Sequence, residues 1–328
     1  MSGEVSKKSV MKSLYPMVRP YIPAMAAALV LLFGGNILSV GFSSLNNIGN
    51  LLSMASITAI AASAQLLVVL VGGESIDLSI GPVMSLTALM LPHLTGGEDG
   101  RLIPVILFLL VIGGLIGFTN GAGSQIIRIP PLIMTMIMGT VVNGITFAWT
   151  KGLPLLMLPK GIRTMSMKVA GPFCGIIFVV VALVLVLEYM LRKIRFGRSL
   201  YLIGSNRYSA ALAGIPIRRN IIIAYTLAGI IAAMGGIVTM GYLGIGNIKM
   251  CENYTMLSVA SLAIGGANMQ GGRGTVVGSV TGAIVLQLLS SVLVAAGWNQ
   301  GVRELIQGAV LVLILIAIFA KSARKLQQ

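Results

Sequence analysis

The sequence predicts an all-α, polytopic integral membrane protein with about ten (eight to ten) transmembrane helices. Composition is the first reason. Of 328 residues, 56% are hydrophobic and 9% charged, and the mean hydropathy is +0.97. A soluble domain is about 25% charged and has to set polar residues against water. The second reason is length: apolar stretches run unbroken for about twenty residues, enough for a helix to cross a bilayer, without the alternation of outer-membrane strands. The third is that the basic residues behind the net charge of +15 gather in a few loops and tails, as cytoplasmic segments of membrane proteins do. Together these exclude a soluble enzyme, a disordered chain, a barrel and a nucleic-acid-binding module.

Taken in order, residues 1–17 form a basic tail (Lys7, Lys8, Lys12). With Arg19 and the apolar run Ala24 to Phe33 it has the form of a signal peptide. The many spans that follow make it a cytoplasmic tail and a first span instead. Apolar segments lie near 18–40, 45–71, 78–94, 102–127, 131–150, 169–190, 220–243, 255–270, 275–297 and 302–320, in one transmembrane unit over 18–320, and 321–328 is a second basic tail. The first segment is about 35 Å long as a helix, enough for about 30 Å of hydrocarbon with some tilt. Segments 78–94 and 255–270 are short and are expected to be tilted, re-entrant or broken. Pro82, Pro104, Pro131 and Pro172 stand at expected helix starts, where a missing N–H costs nothing.

With ten spans and the N-terminus inside, both termini are cytoplasmic. The inside then holds Lys7, Lys8, Lys12 and Arg19, Arg128, seven in 192–219, Arg273 and three of the last tail, against seven outside. The segment 151–168 resists this count, with Lys151, Lys160, Arg163 and Lys168 outside; either two spans are miscounted or the loop meets an acidic partner. Gly113, Gly117 and Gly121 form one ladder of small residues four apart, and Gly274, Gly278 and Gly282 another. Such ladders let helix backbones approach. Their separation by five spans allows an inverted five-plus-five repeat.

Three segments stand out for function. The loop 192–219 has seven positive residues and no acid. Within it Asn206 is an N-cap, Tyr208 to Ala213 a short helix, Gly214 its C′ residue and Pro216 its stop. Such a helix suits either a groove on a cytoplasmic partner or anionic lipid. The stretch Gly72–Gly81 brings Glu74 and Asp77 between two apolar runs. At the inner surface Asp77, or Ser79, would cap the next helix. In Gly265–Gly274, a glycine-rich inner turn, Asn268 and Gln270 offer neutral hydrogen bonds of the kind a polyol uses, while Arg273 is an anchor. Glu74, Asp77, Asn268 and Gln270 are therefore the candidates for the path or its gate. Cys174, Cys251 and His93 have no metal-site spacing. There is no phosphate-binding GxxxxGK[ST], no nucleophile elbow and no HExxH, hence no catalytic residue. Carboxylates for ion coupling at mid-membrane are not expected, since Glu188 ends the sixth span beside Arg192.

These residues also carry a resemblance. GGESIDLSIGPVMSLTALM, IRIPPLIMTMIMGTVVNGITFAWTKGLP, FGRSLYLIGSNRYSAALAGIPIRRNIIIAYTLAGIIAAMGGIV and SLAIGGANMQGGRGTVVGSVTGAIVL resemble, in that order and in register from about 45 to 320, four segments of bacterial ABC sugar permeases of the ribose, xylose, arabinose and galactose type. The resemblance implies a permease subunit of the bacterial inner membrane that pairs with a second permease, identical or a sibling. Cytoplasmic ATPase subunits carrying ATP and Mg would dock on it, and an extracytoplasmic sugar-binding protein would deliver the cargo. It implies that Asn206 to Ile215 is the coupling helix, with Ala210, Ala211 and Gly214 at its small positions, and that Asp77 is the aspartate of the IDLS string. Glu74 and Ser75 depart from the usual small residues, and Ala267, Asn268 and Met269 from the usual "Tsl". Alternating access would be driven from the partner ATPase, with Lys151, Lys160, Arg163 and Lys168 docking an acidic face of the binding protein and selectivity residing mainly there. The alternatives are another small polar cargo (inositol, a furanose signal molecule, a nucleoside), a stand-alone secondary transporter or channel, and a scaffold without transport.

Overall fold

The computed structural model describes residues 22–73, 75–151, 153, 157–310 and 312. Both tails and Glu74 lie outside the described residues. The helices are α1 (Ile22–Leu38), α2 (Leu45–Leu70), α3 (Ile80–Thr95), α4 (Leu102–Ala122), α5 (Pro131–Thr150), α6 (Lys160–Arg163), α7 (Gly175–Lys193), α8 (Arg195–Ser205), α9 (Arg207–Leu212), α10 (Ile217–Leu243), α11 (Glu252–Ile264) and α12 (Val276–Ala295). A helical stretch follows at 300–310. Six helices are long and apolar enough to cross a membrane: α2, α4 with its flanking turns, α5, α7, α10 and α12. α1 and α3 are shorter and apolar, and α11 has only 13 residues.

Side-chain size decides which helices lie inside. The most apolar window of α2 is 89% buried and that of α10 67%. Both are rich in alanine, glycine, serine and threonine, which let neighbours close in from every side. The windows of α4, α5 and α7 are 22% buried. They present Leu107, Val111, Ile137, Val181 and Leu185 outward, as a lipid-facing ring does.

The first glycine ladder joins α4 to α10 backbone to backbone. A Cβ at Gly113 would come within 2.5 Å of Gly229 O, and one at Gly121 within 2.8 Å of Ile222 Cα. In the second ladder Gly278 and Gly282 meet the end of α11 at Gly265 and Ser261, whereas Gly274 lies in the turn before α12. The packing is reciprocal along the chain: α4 and α3 pack on α10, α12 and α11 pack on α2, and α2 meets α10 where α3 meets α11.

Helix starts follow the expected chemistry with one exception. Pro131 opens α5, and Pro82 and Pro104 fall in the first turns of α3 and α4. Pro172 opens no helix. With Gly171 it makes the tight turn of a small hairpin, β1 (Lys168–Ala170) with β2 (Phe173–Cys174), so α7 begins at Gly175 rather than near 169. Glu188 does more than pair with Arg192: its Oε2 accepts the Val276 N–H at 3.0 Å, a negative charge at the positive end of α12. Thr275 Oγ1 accepts the next free N–H there, from Gly278, at 3.1 Å.

The connections sort into two ends. At one, Gly272 N–H donates to Leu70 O (3.0 Å), the Tyr201 hydroxyl to Gly274 O (2.8 Å) and Arg207 to Gly72 O (3.2 Å). At the other, Asp99 Oδ1 accepts the Gly161 N–H (2.8 Å) and Lys168 donates to Asn46 (3.4 Å).

Gly117 tests the close approach of α4 and α10, since a Cβ there would sit 2.9 Å from Tyr225 C. Gly117→Val is expected to destabilise the protein by about 1–3 kcal/mol, read as a lower Tm in detergent. Gly144→Val, whose Cβ meets no atom within 4 Å, is expected to leave Tm unchanged.

Candidate functional site

At membrane depth no water is at hand, so every backbone polar group needs a protein partner. Two segments leave the helical state there. The first follows α2. Gly72 and Gly73, at φ +68° and +71°, turn the chain back into the bundle, a left-handed pair that side chains disfavour. Ser75 to Asp77 then run antiparallel to the end of α2. The Gln65 side chain brackets Asp77, donating to its carbonyl at 3.1 Å and accepting its N–H at 2.9 Å. Thr135 Oγ1, from α5, accepts the Leu78 N–H (3.0 Å) and donates to Ile76 O (3.2 Å). α3 therefore starts about one and a half turns below the end of α2, since Gln65 lies about 7 Å along the axis from Leu70.

This corrects the surface position expected for Asp77. Its carboxylate does serve the start of α3: Oδ1 accepts both the N–H (2.8 Å) and the hydroxyl (2.6 Å) of Ser79, which in turn accepts from Asn120 Nδ2 of α4 (2.8 Å). Yet Asp77, Ser79 and Asn120 are all buried, because the glycine turn carries them inward. Ser79 itself caps no N–H of α3.

The second break follows α10. Residues 244–251 leave its end without helix, and α11 begins deep in the bundle. The two half-helix starts brace each other. Gly81 N–H of α3 donates to Thr255 Oγ1 of α11 (2.9 Å), and Cys251 N–H, at the start of α11, donates to Ser85 Oγ of α3 (3.0 Å). Cys251 is fully buried by this contact. Beside it, the Glu252 carboxylate accepts from Asn143 Nδ2 of α5 (2.6 Å) and lies 3.4 Å from Lys249 Nζ. Asn143 is about 18 Å up α5 from its first residue. Carboxylates thus do lie within the membrane-spanning bundle, Asp77 buried and Glu252 half-exposed, contrary to the expectation from the spans. Lys249 pairs with Glu252.

On the other side of α11 a cavity of about 200 Å³ opens between α2, α11, α12 and 300–310, with Asn253, Gln287, Gln300, Arg303, Glu304 and Gln307 in its wall. Sequence reasoning missed these residues. Their only signal was polar side chains within or beside apolar runs.

The remaining candidates lie at the ends. Asn206 Oδ1 accepts the Ser209 N–H at 3.0 Å, capping α9, and Gly214 follows at φ +73°. The short helix read from the sequence is present within one residue of its expected bounds. Ala210 is its buried anchor and Ile215 is half-buried, while Ala211, Tyr208 and Leu212 point outward. Beside it a groove of about 700 Å³ runs past Phe196, Gly214, Pro216 and Arg219. α8, which precedes it, was not foreseen. Asn268 holds its own turn, accepting from Gln270 N–H (3.2 Å) and donating to Gly271 O (3.1 Å); Gln270 is exposed at the same end. Lys151, Lys160, Arg163 and Lys168 are exposed at the opposite end.

Residues 47–315 match the family described as branched-chain amino acid transport system / permease component. The chain belongs to this family. The ribose import permease protein RbsC of Escherichia coli K12 is 30% identical over 303 residues, covering 89% of this chain and 92% of the relative. The probable ABC transporter permease protein YphD of the same organism is 31% identical, covering 89% and 86%. The autoinducer 2 import system permease protein LsrC of Shigella flexneri is 32% identical, covering 80% and 79%. No solved structure matches the chain. The resemblance carried by the four motifs is thus borne out, and the chain is an ABC-type permease.

The brace between α3 and α11 is testable on its own. Thr255→Val keeps the shape but strands the Gly81 N–H and is expected to cost about 1–3 kcal/mol, lowering Tm in detergent. Thr255→Ser keeps the acceptor and is expected to restore most of it.

Proposed function

We propose that this chain is the membrane-spanning permease subunit of an ABC importer, moving a monosaccharide that an extracytoplasmic binding protein delivers and a separate ATPase drives. ATP and Mg belong to that partner. The name of one relative, the ribose import permease protein RbsC, supports a sugar as cargo. The observation that carries the mechanism is the wiring of the α8–α9 segment. Arg207, at the start of α9, bonds the Gly72 carbonyl of the first break. Gly204 packs on Leu70 and Gly272, and Tyr201 bonds Gly274, in the turn that ends α11. A displacement of α9 is thereby delivered to the first break and to the far end of α11, the half-helix of the second. That is what alternating access needs from a coupling helix, here Asn206 to Ile215.

In this reading the α8–α9 end faces the cytoplasm, as its basic residues favour, with both termini on that side of the inner membrane. The exposed Tyr208 and Leu212 then meet the ATPase. Lys151, Lys160, Arg163 and Lys168 face the binding protein. The half-exposed Glu252–Lys249 pair faces a water-filled path or the second permease, since charge against lipid is costly. The reciprocal packing of α2, α3, α4 with α10, α11, α12 supports ten spans in a five-plus-five inverted repeat.

Deletion of Asn206 to Gly214 is expected to abolish co-purification of the ATPase subunit in mild detergent, and uptake with it, while the permease still elutes as a folded species. An intact chain that purifies alone from native expression overturns the importer reading. Charge reversal at Lys160 and Arg163 is expected to cut uptake several-fold at low salt and less at high salt, because exposed charges steer docking over a Debye length of about 10 Å at 0.1 M. Unchanged uptake removes those residues from docking.

A further inference from the structure

We propose that the permease itself holds the sugar on its way across, in the cavity between α2, α11, α12 and 300–310. The site would take a neutral polyhydroxylated molecule of monosaccharide size. The inference rests on the importer reading and deepens it, since it assigns part of the selectivity to this chain rather than to the binding protein alone.

Depth is the first argument. Thr58, in the cavity wall, is midway along the 26 residues of α2, and Asn253 and Tyr254 belong to the first turn of α11, beside the brace between the half-helices. The cavity therefore reaches from Gln300, just past the exposed loop that follows α12, to mid-depth of the bundle. The second argument is unused hydrogen-bonding capacity. Among the described residues, the side-chain amides of Asn253, Gln287 and Gln307 have no protein partner, and Arg303 Nε is buried without one. Asn253 is exposed and Gln287 and Gln307 are half-buried, so of these groups the Arg303 N–H is the buried one; buried polar groups are normally satisfied, and this one, ringed by open amides, suits a molecule that brings its own hydroxyls. Asn and Gln each present a donor and an acceptor, the pair that matches adjacent hydroxyls of a sugar.

Charge and shape narrow the ligand further. The wall contains one guanidinium and one carboxylate, and the Glu304 carboxylate already accepts from Gln300 Nε2 at 3.0 Å. The cavity offers no excess of either sign for an ionic cargo. It continues into a second cavity of about 200 Å³ that shares Asn253, Leu257 and Gln307 and adds Met256, Ala260 and Gly308. A polar wall running into an apolar one suits a sugar ring, which carries hydroxyls at its edge and C–H groups on its faces. Amides at this depth would be costly against lipid; the second permease subunit of the importer closes the open side.

The test uses the full-length permease in lipid nanodiscs, without ATPase or binding protein. Its binding of D-ribose, D-xylose, L-arabinose and D-galactose is read by saturation-transfer NMR. One of these sugars is expected to bind with a millimolar Kd. Asn253→Leu, Gln287→Leu and Arg303→Met are each expected to weaken binding at least tenfold, while Thr119→Val, on the outward face of α4 where its hydroxyl bonds only Leu115 O of its own helix, leaves it unchanged; elution profile and Tm verify that each variant is folded. Uptake by the assembled importer is measured in parallel. An importer that takes up one of these sugars while the permease alone binds none of them overturns the proposal and leaves the importer reading standing. So does binding that the three cavity variants leave intact. Binding that depends on the three residues, with no uptake by any assembly, supports the site and counts against the importer reading instead.

Discussion

The structure depends on one requirement: where helices are interrupted at membrane depth, in extended chain at 75–77 and in turns at 244–251, the N–H and C=O groups set free must find partners in the protein. Helices meet this requirement internally, and extended chain does not. Around the first break the partners are side chains of three different helices, Gln65 of α2, Thr135 of α5 and Asn120 of α4 acting through Ser79. Where the breaks meet, each half-helix lends the other a hydroxyl, Thr255 for Gly81 and Ser85 for Cys251. The arrangement fixes the depth and the mutual position of α3 and α11, and with them the walls of any path between them.

Those bonds require helices to lie closer than ordinary side chains allow. The glycines of α4 and α10 and the alanines of α2 provide that closeness. Serines and threonines of the central helices add little polarity of their own, because Ser53, Ser63 and Thr239 donate back to carbonyls four residues earlier in the same helix. The hydroxyls that instead reach across, Thr87 to Ala233 O as well as Thr135, Ser85 and Thr255, lie along α3 and at the partners of its break. Polar chemistry in this bundle is concentrated where helices are interrupted. The first interruption is tied to α9 at Gly72, and the half-helix of the second is tied to α8 by the turn at its far end, at Gly274.

Much of this was legible in the residues, for identifiable reasons. Composition and run length gave the class. The α9 helix was readable because Asn206, Gly214 and Pro216 act locally, through a cap, a left-handed residue and a stop. The four motifs carried the family. What was not legible depends on contacts between residues far apart in the chain. A hydropathy scan sees 244–251 as a loop, and a loop is read as surface; nothing local says that it descends to meet Ser85. Glu252 was missed for that reason, and Asp77 was set at the surface because the inward turn after Gly73 is held by Gln65 and Thr135. Pro172 reads as a helix start by the rule that fits Pro131, but the hairpin before it takes that stretch. The cavity wall draws on α2, α11, α12 and 300–310, and no one of those segments announces it.

The brace between α3 and α11 also has a consequence for how the chain is made. The acceptor for the Gly81 N–H is Thr255, 174 residues further along. At a synthesis rate of about 5–20 residues per second, that partner leaves the ribosome on the order of ten seconds or more after the donor has entered the membrane. For that interval the first break has a donor with no native acceptor, in a medium that supplies none. The nascent first half must therefore wait beside water, lipid headgroups or the insertion machinery until the second half arrives. Assembly of the two halves is then a late, concerted event rather than a helix-by-helix accumulation.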